Sequence, residues 1–229
     1  METLLTSPVE ELKLRKKEES GVIKFSENLL DAYQVLSKRI IDLVLSGLFL
    51  LFVASWLFPI IAILIKIDSP GPIFYKQLRD GQFNNKFLCF KFRTMVFNPE
   101  DEFKQATKND SRVTRFGAFL RKTSIDELPQ LINVLIGDMS IVGPRPHAVE
   151  MNLDCNRKYE KYNLRHLVKP GIIGLAQAKG FRGEIKEDSD MIGRIKLDLF
   201  YIEKWGVWLD VKIIFWTIHG IIFKNGNAY

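Results

Sequence analysis

The chain has 229 residues, 47% of them hydrophobic and 26% charged, which allows one ordinary domain together with a membrane segment or a small extension. The net charge of +6 fits nucleic acid, anionic lipid headgroups or a polyphosphate substrate, so charge alone does not choose among these partners. The two cysteines, Cys89 and Cys155, lie far apart without metal-ligand spacing, which argues against a disulfide framework or a cysteine-rich zinc site.

The N-terminal part of the chain changes abruptly from polar to apolar. We interpret residues 1–37, which include EELKLRKKEES, as a poorly ordered tail or a short surface helix. They do not resemble a secretory signal, because the first apolar run begins too late. That run, Leu43–Ile65, has 23 residues without a charge, more than the roughly 20 that a helix needs to cross a hydrocarbon core. We therefore predict a membrane helix over residues 38–67.

Pro59 lies inside the apolar run, where it removes a backbone donor and crowds the preceding turn, so it kinks or breaks a helix. Basic residues stand on both sides of the run, namely Lys38, Arg39, Lys66, Lys76 and Arg79. The positive-inside tendency then places both ends on the cytoplasmic side. We predict a re-entrant hairpin that turns near Pro59. A kinked single span is the alternative, and a helix buried on every side would be rare in a domain of this size.

Residues 68–229 are expected to form a small domain. PIFYKQLRDG and NKFLCFKFRTM alternate apolar and basic residues on either side of a turn, which predicts a β-hairpin. Helices are predicted at EDEFKQAT, at VTRFGAFLRKT with one apolar face, and at PQLINVLIGDMS, beginning at Pro129. The aromatic-rich stretch from Asp198 to Phe223 predicts one or two amphipathic helices that lie on the core or in the headgroup layer. The fold class is thus α+β and mostly helical.

Two acids, Asp126 and Glu127, stand together in TSIDELPQL, although each raises the electrostatic cost of the other. One interpretation is a capping box, with Ser124 as N-cap and Glu127 at the third helical position. That register puts Pro129 inside the helix, where its missing donor costs a hydrogen bond. A helix that begins at Pro129 avoids this loss and leaves both acids at its positive end.

Basic residues surround the acid pair along the sequence, namely Lys91, Arg93, Arg112, Arg115, Arg121, Lys122 and Arg145. Pro144 and Pro146 flank Arg145 and restrict its backbone, so its planar guanidinium is suited to clamp a phosphate. An ordinary surface salt-bridge network is the alternative. Two acids that bind a divalent metal, set among arginines beside a membrane, are what the transfer of a phosphorylated group to a lipid would need.

At this point several motifs are recognisable in order: KRIIDLVLS, SPGPIFYKQLRDG, KFRTM, TRFGAFLRKTSIDELPQLINVLIGDMSIVGPRP, KPGIIGLAQ and RIKLDLFYIEKWGVWLD. Together they resemble the bacterial sugar transferase family, the monotopic phosphoglycosyl transferases, over nearly all of the chain beyond the tail. The resemblance implies a re-entrant membrane helix and a small cytoplasmic catalytic domain with amphipathic interfacial helices. It also implies an enzyme on the cytoplasmic face of the bacterial inner membrane.

The reaction that the resemblance implies moves a sugar 1-phosphate from a UDP-sugar to undecaprenyl phosphate, releases UMP, and begins the synthesis of a surface polysaccharide or glycoconjugate. Asp126 would be the nucleophile that forms a covalent phosphosugar intermediate, and Glu127 would help bind Mg²⁺. Pro144, Arg145 and Pro146 match the motif implicated in nucleotide binding. The remaining candidates for phosphate contacts are Lys91, Arg93, Arg112 and Arg121.

Other functions fit the sequence less well. A membrane-anchored nucleic-acid-binding protein would explain the charge but not the acid pair, and no nucleic-acid motif supports it. A catalytically inactive scaffold of the same fold stays open. The sugar is not determined; the polar segment from Ala178 to Lys196 is a candidate for part of its pocket. The amphipathic C-terminal region could support a homodimer, and the short tail suggests the minimal catalytic form of the family.

Overall fold

The computed structural model describes residues 10, 13, 27–98, 107, 110–181, 183, 185 and 187–223. The described part is mostly helical and has two small sheets of two strands each, which confirms the predicted α+β class. The predicted helix at EDEFKQAT lies almost entirely outside the described residues. The helices are α1 (Glu27–Leu30), α2 (Ala32–Phe49), α3 (Ser55–Asp68), α4 (Arg115–Thr123), α5 (Gln130–Ile136), α6 (Val149–Lys158), α7 (Leu175–Ala178), α8 (Asp188–Lys204) and α9 (Val207–Phe223), and the strands are β1 (Phe74–Asp80), β2 (Lys86–Phe92), β3 (Ser140–Val142) and β4 (Gly171–Ile173).

The apolar run forms one long helix from Ala32 to Asp68, in which a π-helical turn, Leu50–Ala54, joins α2 to α3. It begins earlier than position 38 because the side chain of Asp31 caps it, accepting a hydrogen bond from the backbone nitrogen of Tyr33 at 2.8 Å. By length and composition it can cross a membrane, and only 17% of its most apolar window is buried. That exposure argues against a soluble core helix. The π-helical turn and Pro59 are both features at which helices bend.

The N-terminal end of this long helix is bound to the rest of the protein by charged side chains. Lys38 donates to Asp210 of α9 at 2.6 Å, and Arg39 donates to two carbonyl oxygens in the last turn of α5. The carboxylate of Asp42 accepts a hydrogen bond from the backbone nitrogen of Ile141 in β3 at 3.1 Å. Three charges that would be costly in lipid are thus used to attach the helix.

The C-terminal end of the same helix is attached from the opposite direction. Arg93, which follows β2, donates to the carbonyl oxygens of Pro70 and of Ser69, the latter at 2.7 Å. Asp68 accepts a hydrogen bond from the first turn of α4. An apolar cluster joins the helix to the domain, with Ile61, Ile65, Phe92 and Leu120 buried and Phe58, Phe116 and Ile125 among the residues packed around them.

The predicted hairpin is confirmed as the antiparallel pair β1 and β2, with register from Phe74 opposite Phe92 to Asp80 opposite Lys86. Because strand residues alternate between faces, Tyr75, Gln77 and Arg79 point to the same side as Lys91 directly across from Tyr75. The second sheet, β3 with β4, is a parallel pair of very short strands that the sequence pattern did not predict.

The C-terminal stretch, predicted to form one or two helices, lies in two, α8 and α9. Their inner faces bury Tyr201, Ile202, Trp205 and Ile213 in the largest apolar cluster, together with Val142 of β3. The outer face of α9 exposes a row of large apolar side chains, Trp208, Val211, Phe215 and Ile218. Since β3 leads directly into the segment from Pro144 to Pro146, these helices support the backbone that carries Arg145.

Candidate active site

The acid pair lies in a short 3-10 turn, Ile125–Glu127, between α4 and α5. Ser124 adopts a left-handed backbone conformation, with φ of 59°, and caps the C-terminus of α4. Pro129 is the residue before the first helical position of α5. The capping-box interpretation is therefore wrong, because Ser124 ends one helix instead of starting the next. The predicted start at Pro129 is confirmed to within one residue.

Glu127 is the most heavily paired carboxylate of the site. Lys91 donates to its Oε1 at 2.5 Å, and Arg145 donates to both of its oxygens, one of them at 2.9 Å. Burial of the carboxyl raises its pKa, but the charges and hydrogen bonds of Arg145 and Lys91 outweigh burial and hold the pKa well below its usual range. Glu127 is thus ionised at any physiological pH.

Asp126 has the opposite environment, although it is the neighbouring residue. Its side chain is buried, with 8% of the residue exposed. Burial and the charge of Glu127 raise the pKa of Asp126 to about 6, against the lowering influence of Lys91, Arg121 and Arg145. Two acids whose pKa values are pushed apart by their surroundings are typical of sites where each carries a different role.

The hairpin and α4 bring further cations to the pair. Arg121, near enough to lower the pKa of Asp126, donates to the hydroxyl of Thr94 at 2.8 Å. Arg79 donates to the carbonyl oxygen of Pro146, and its pKa is lowered by burial and by the charge of Arg145. In the sequence, Arg79 stands out only as one of the basic residues that flank the apolar run. Its strand position, on the face that also carries Lys91, is the signal that could have identified it.

Two of the candidate phosphate contacts have other partners. Arg93 is 5% exposed and is bound to the carbonyl oxygens at the end of α3. Arg112 forms an ion pair with Asp110 at 2.7 Å. The structure therefore brings Lys91, Arg121 and Arg145 to the acid pair and engages Arg93 and Arg112 elsewhere. Pro59 lies in the long apolar helix, directly after Phe58, whose ring packs against Phe92 of β2.

The carboxylates of the site are few for a metal centre. Among the described residues, no group of three or more His, Cys, Asp or Glu side chains could hold a metal ion. Mg²⁺, however, is commonly bound by one or two carboxylates together with substrate phosphates and water. A carboxylate has about four lone-pair positions, and Glu127 uses three of them on Lys91 and Arg145. Glu127 therefore has one lone-pair position left for a metal ion that phosphate oxygens also bind.

Behind Arg145 lies a small pocket. Its lining includes Gln177, Phe181 and Arg194 together with Arg145. Phe181 and Arg194 belong to the polar segment from Ala178 to Lys196, the segment predicted from the sequence to form part of the sugar pocket. The structure thus brings described residues of that segment next to an arginine of the site.

The arrangement can perform nucleophilic chemistry on a phosphate. One carboxylate that ionises near pH 6 stands beside a permanent carboxylate and several cations, which can offset the charge of a bound polyphosphate. Ile125, directly before Asp126, packs against the apolar cluster that includes Ile61 and Ile65 of the long helix. The residue before the nucleophile candidate therefore belongs to the same apolar cluster as two residues of the long helix.

Comparison with known proteins shows which family the chain matches. The chain matches the family model described as bacterial sugar transferase over residues 33–224. It is 46% identical over 221 residues to the UDP-glucose:undecaprenyl-phosphate glucose-1-phosphate transferase of Klebsiella pneumoniae, covering 95% of this chain and 47% of that protein. Proteins of the same name from Escherichia coli K12 and Xanthomonas campestris are 47% and 48% identical, over 94% and 82% of this chain. The chain spans less than half the length of these three relatives, since it covers 47% and 39% of the latter two.

Proposed function

Because this chain belongs to the bacterial sugar transferase family, we propose that it transfers a sugar 1-phosphate from a UDP-sugar to undecaprenyl phosphate and releases UMP. The relatives reported above carry this reaction in their names. The observation that carries the proposal is the acid pair, in which a buried Asp126 with raised pKa adjoins a Glu127 clamped by Lys91 and Arg145. In the cell the product would begin a surface polysaccharide or glycoconjugate.

The first step uses Asp126 as a nucleophile. Its carboxylate oxygen attacks the phosphorus that bears the sugar, and a new O–P bond forms as the P–O bond to UMP breaks. The bonding electrons leave with UMP, whose added charge is stabilised by Arg145, Lys91 and Arg121. A sugar phosphate is left on Asp126 as a covalent intermediate.

In the second step an oxygen of undecaprenyl phosphate attacks the same phosphorus. The O–P bond to Asp126 breaks, the electron pair returns to the carboxylate, and undecaprenyl-diphosphate sugar is released. Glu127, together with the diphosphate of the donor, would hold Mg²⁺, which when bound offsets phosphate charge. Pro144 and Pro146 restrict the backbone on either side of Arg145, so that its guanidinium stays directed at Glu127.

We further propose that the long helix is re-entrant and that the domain lies on the cytoplasmic face of the inner membrane. The support is that both ends of the helix attach to one domain, through Lys38 and Arg39 at one end and through Arg93 at the other. A helix that crossed the bilayer would carry these ends to opposite sides. The exposed apolar row on α9 and Phe119 on α4 would then lie in the interface.

The proposed reaction is tested by UMP release from the protein in nanodiscs, given undecaprenyl phosphate, Mg²⁺ and a panel of UDP-sugars. UDP-glucose comes first because the relatives above are named for glucose. We expect release with at least one donor, and its loss in Asp126→Asn and on chelation. Without lipid acceptor, the intact mass of the wild-type protein should rise by one sugar phosphate, and that of Asp126→Asn should not.

The same assay can contradict the proposal. A folded, membrane-bound protein that released no UMP with any donor would support an inactive scaffold of the same fold. UMP release without a mass increase on the protein would instead favour direct attack by the lipid phosphate, with Asp126 in another role.

A further inference from the structure

The backbone that carries Arg145 is held by an unusual set of hydrogen bonds. The carbonyl oxygens of Pro144, Arg145 and Pro146 each accept one: from the backbone nitrogen of Gly171 at 2.9 Å, from Arg165 at 2.6 Å and from Arg79 at 2.5 Å, respectively. Prolines have no N–H to donate, so this segment is held mainly through its acceptors. Two of its three partners are guanidinium groups that come from different elements, Arg79 from β1 and Arg165 from the 3-10 segment Tyr162–Leu167.

Arg165 is itself fixed by a buried ion pair. Its side chain is 3% exposed and lies 2.8 Å from the carboxylate of Asp198 on α8, which is equally buried. It also donates to the hydroxyl of Tyr162 at 3.0 Å and lies 2.6 Å from Nδ1 of His147. Buried ion pairs are weak sources of stability, because the cost of removing two charges from water offsets their attraction. This pair has a functional explanation, because the guanidinium of Arg165 also donates to the carbonyl oxygen of Arg145, an arginine of the site.

We propose that Arg165 and Asp198, together with Arg79 of β1, are positioning residues that hold the guanidinium of Arg145 on Glu127 and on the phosphate of the donor. The inference rests on the proposed function for its catalytic consequence. Arg145 reaches Glu127 through a long side chain, so a shift of its backbone moves the guanidinium directly. A misplacement of about 1 Å at such a group costs on the order of 100-fold in rate.

Amide hydrogen exchange tests the holding itself, whether or not the protein turns over. In purified full-length protein, Asp198→Asn removes the charge that fixes Arg165 and keeps the shape of the side chain. We expect faster exchange in a peptide spanning residues 143–148, with no change in the hairpin of β1 and β2. Arg165→Lys and Arg79→Lys each remove a guanidinium that donates to a carbonyl oxygen of residues 144–146, and each should speed exchange in the same peptide. They replace Asp198→Asn in the test if that variant does not fold.

Asp110→Asn is the matched control. Asp110 also forms an ion pair with an arginine, Arg112 at 2.7 Å, and its side chain is 7% exposed, but the hydrogen bonds that residues 144–146 accept come from Gly171, Arg165 and Arg79. This variant should leave the 143–148 peptide unchanged. Unchanged exchange in a folded Asp198→Asn protein, or equal loosening in Asp110→Asn, would overturn the proposal.

A double-mutant cycle on UMP release tests the consequence. Asp198→Asn should lower kcat/KM by about 10- to 100-fold in the wild-type background and by less than about twofold in an Arg145→Lys background, because residues that act through one group are not additive. Equal losses in both backgrounds would contradict a role through Arg145. A wild-type protein without UMP release would end the proposed function, and the exchange result would then decide the positioning inference alone.

Discussion

Arg93 and Arg145 are both candidates for phosphate contacts by sequence, yet the fold uses them differently. Arg93 donates to backbone carbonyl oxygens at the end of the long apolar helix and is almost fully buried. Arg145 donates to both oxygens of one carboxylate, Glu127. The difference shows that the partner of an arginine, and not its position among basic motifs, decides whether it anchors the fold or serves a site.

The same contrast extends to the regions around the two arginines. At the long helix, Lys38 donates to Asp210 and to the carbonyl oxygen of Val142, Arg39 donates to two carbonyl oxygens, and Asp42 accepts from one backbone nitrogen. At the site, several cations converge on two neighbouring acids, and the pKa values of the acids move in opposite directions. The groups at the long helix are bound to an opposite charge or to backbone atoms, whereas the site keeps one carboxylate close to its titration point. A buried carboxylate with a raised pKa lowers stability, and such groups are expected at catalytic sites.

Replacing Arg145 is the strongest way to break the comparison. Arg145→Met removes two hydrogen bonds to Glu127 and a cation that would stabilise the departing UMP. We expect UMP release to fall on the order of 100- to 1,000-fold, the range for losing one preorganised donor, with the protein still folded. Arg157→Met, at an exposed position of α6, is the control. A loss below about tenfold would contradict the assignment of Arg145 to the site.

Arg93→Met should have the reverse profile. It leaves carbonyl oxygens at the end of α3 without their donor, and hydrogen bonds to charged groups contribute about 1.5–3 kcal/mol each. We expect the free energy of unfolding to fall by about 3 kcal/mol, measured by thermal or denaturant unfolding in detergent. UMP release per folded molecule should stay within about threefold of the wild type. A large loss of activity in well-folded Arg93→Met would restore Arg93 as a phosphate contact.

The sequence predicts the parts of this comparison that are local. The hairpin, the apolar helix and the start of α5 near Pro129 follow from alternation, length and proline chemistry within a few residues. The partner of each arginine does not, because Arg93 meets residues about 25 positions earlier, and Arg145 meets Glu127, 18 positions earlier. The parallel pair of β3 and β4 was not predicted either, because its strands are only three residues long and show no period.

Asp126→Asn sharpens the comparison by its effect on stability. Because the pKa of Asp126 rises from 3.8 in the unfolded chain to about 6 in the fold, the ionised carboxylate opposes folding above pH 6 by up to about 3 kcal/mol. We expect Asp126→Asn to raise the free energy of unfolding by about 1–3 kcal/mol at pH 7. The gain should shrink below pH 6 and vanish below about pH 3.8, where both states are protonated. Reduced stability at pH 7 would contradict the raised pKa.

The pH dependence of UMP release separates the two arginines by a smaller but cleaner effect. The nucleophile must be ionised, so kcat/KM should fall about tenfold from pH 7 to pH 5, as a group with a pKa of about 6 requires. Glu127 is ionised throughout this range and adds no second step. Since the charge of Arg145 lowers the pKa of Asp126, the residual activity of Arg145→Met should have its midpoint above pH 6. Arg93→Met should keep the wild-type midpoint, because Arg93 binds the end of the long helix and not the acid pair. A shift of the midpoint in both variants, or in neither, would mean that the two arginines are not divided between anchoring the helix and serving the site.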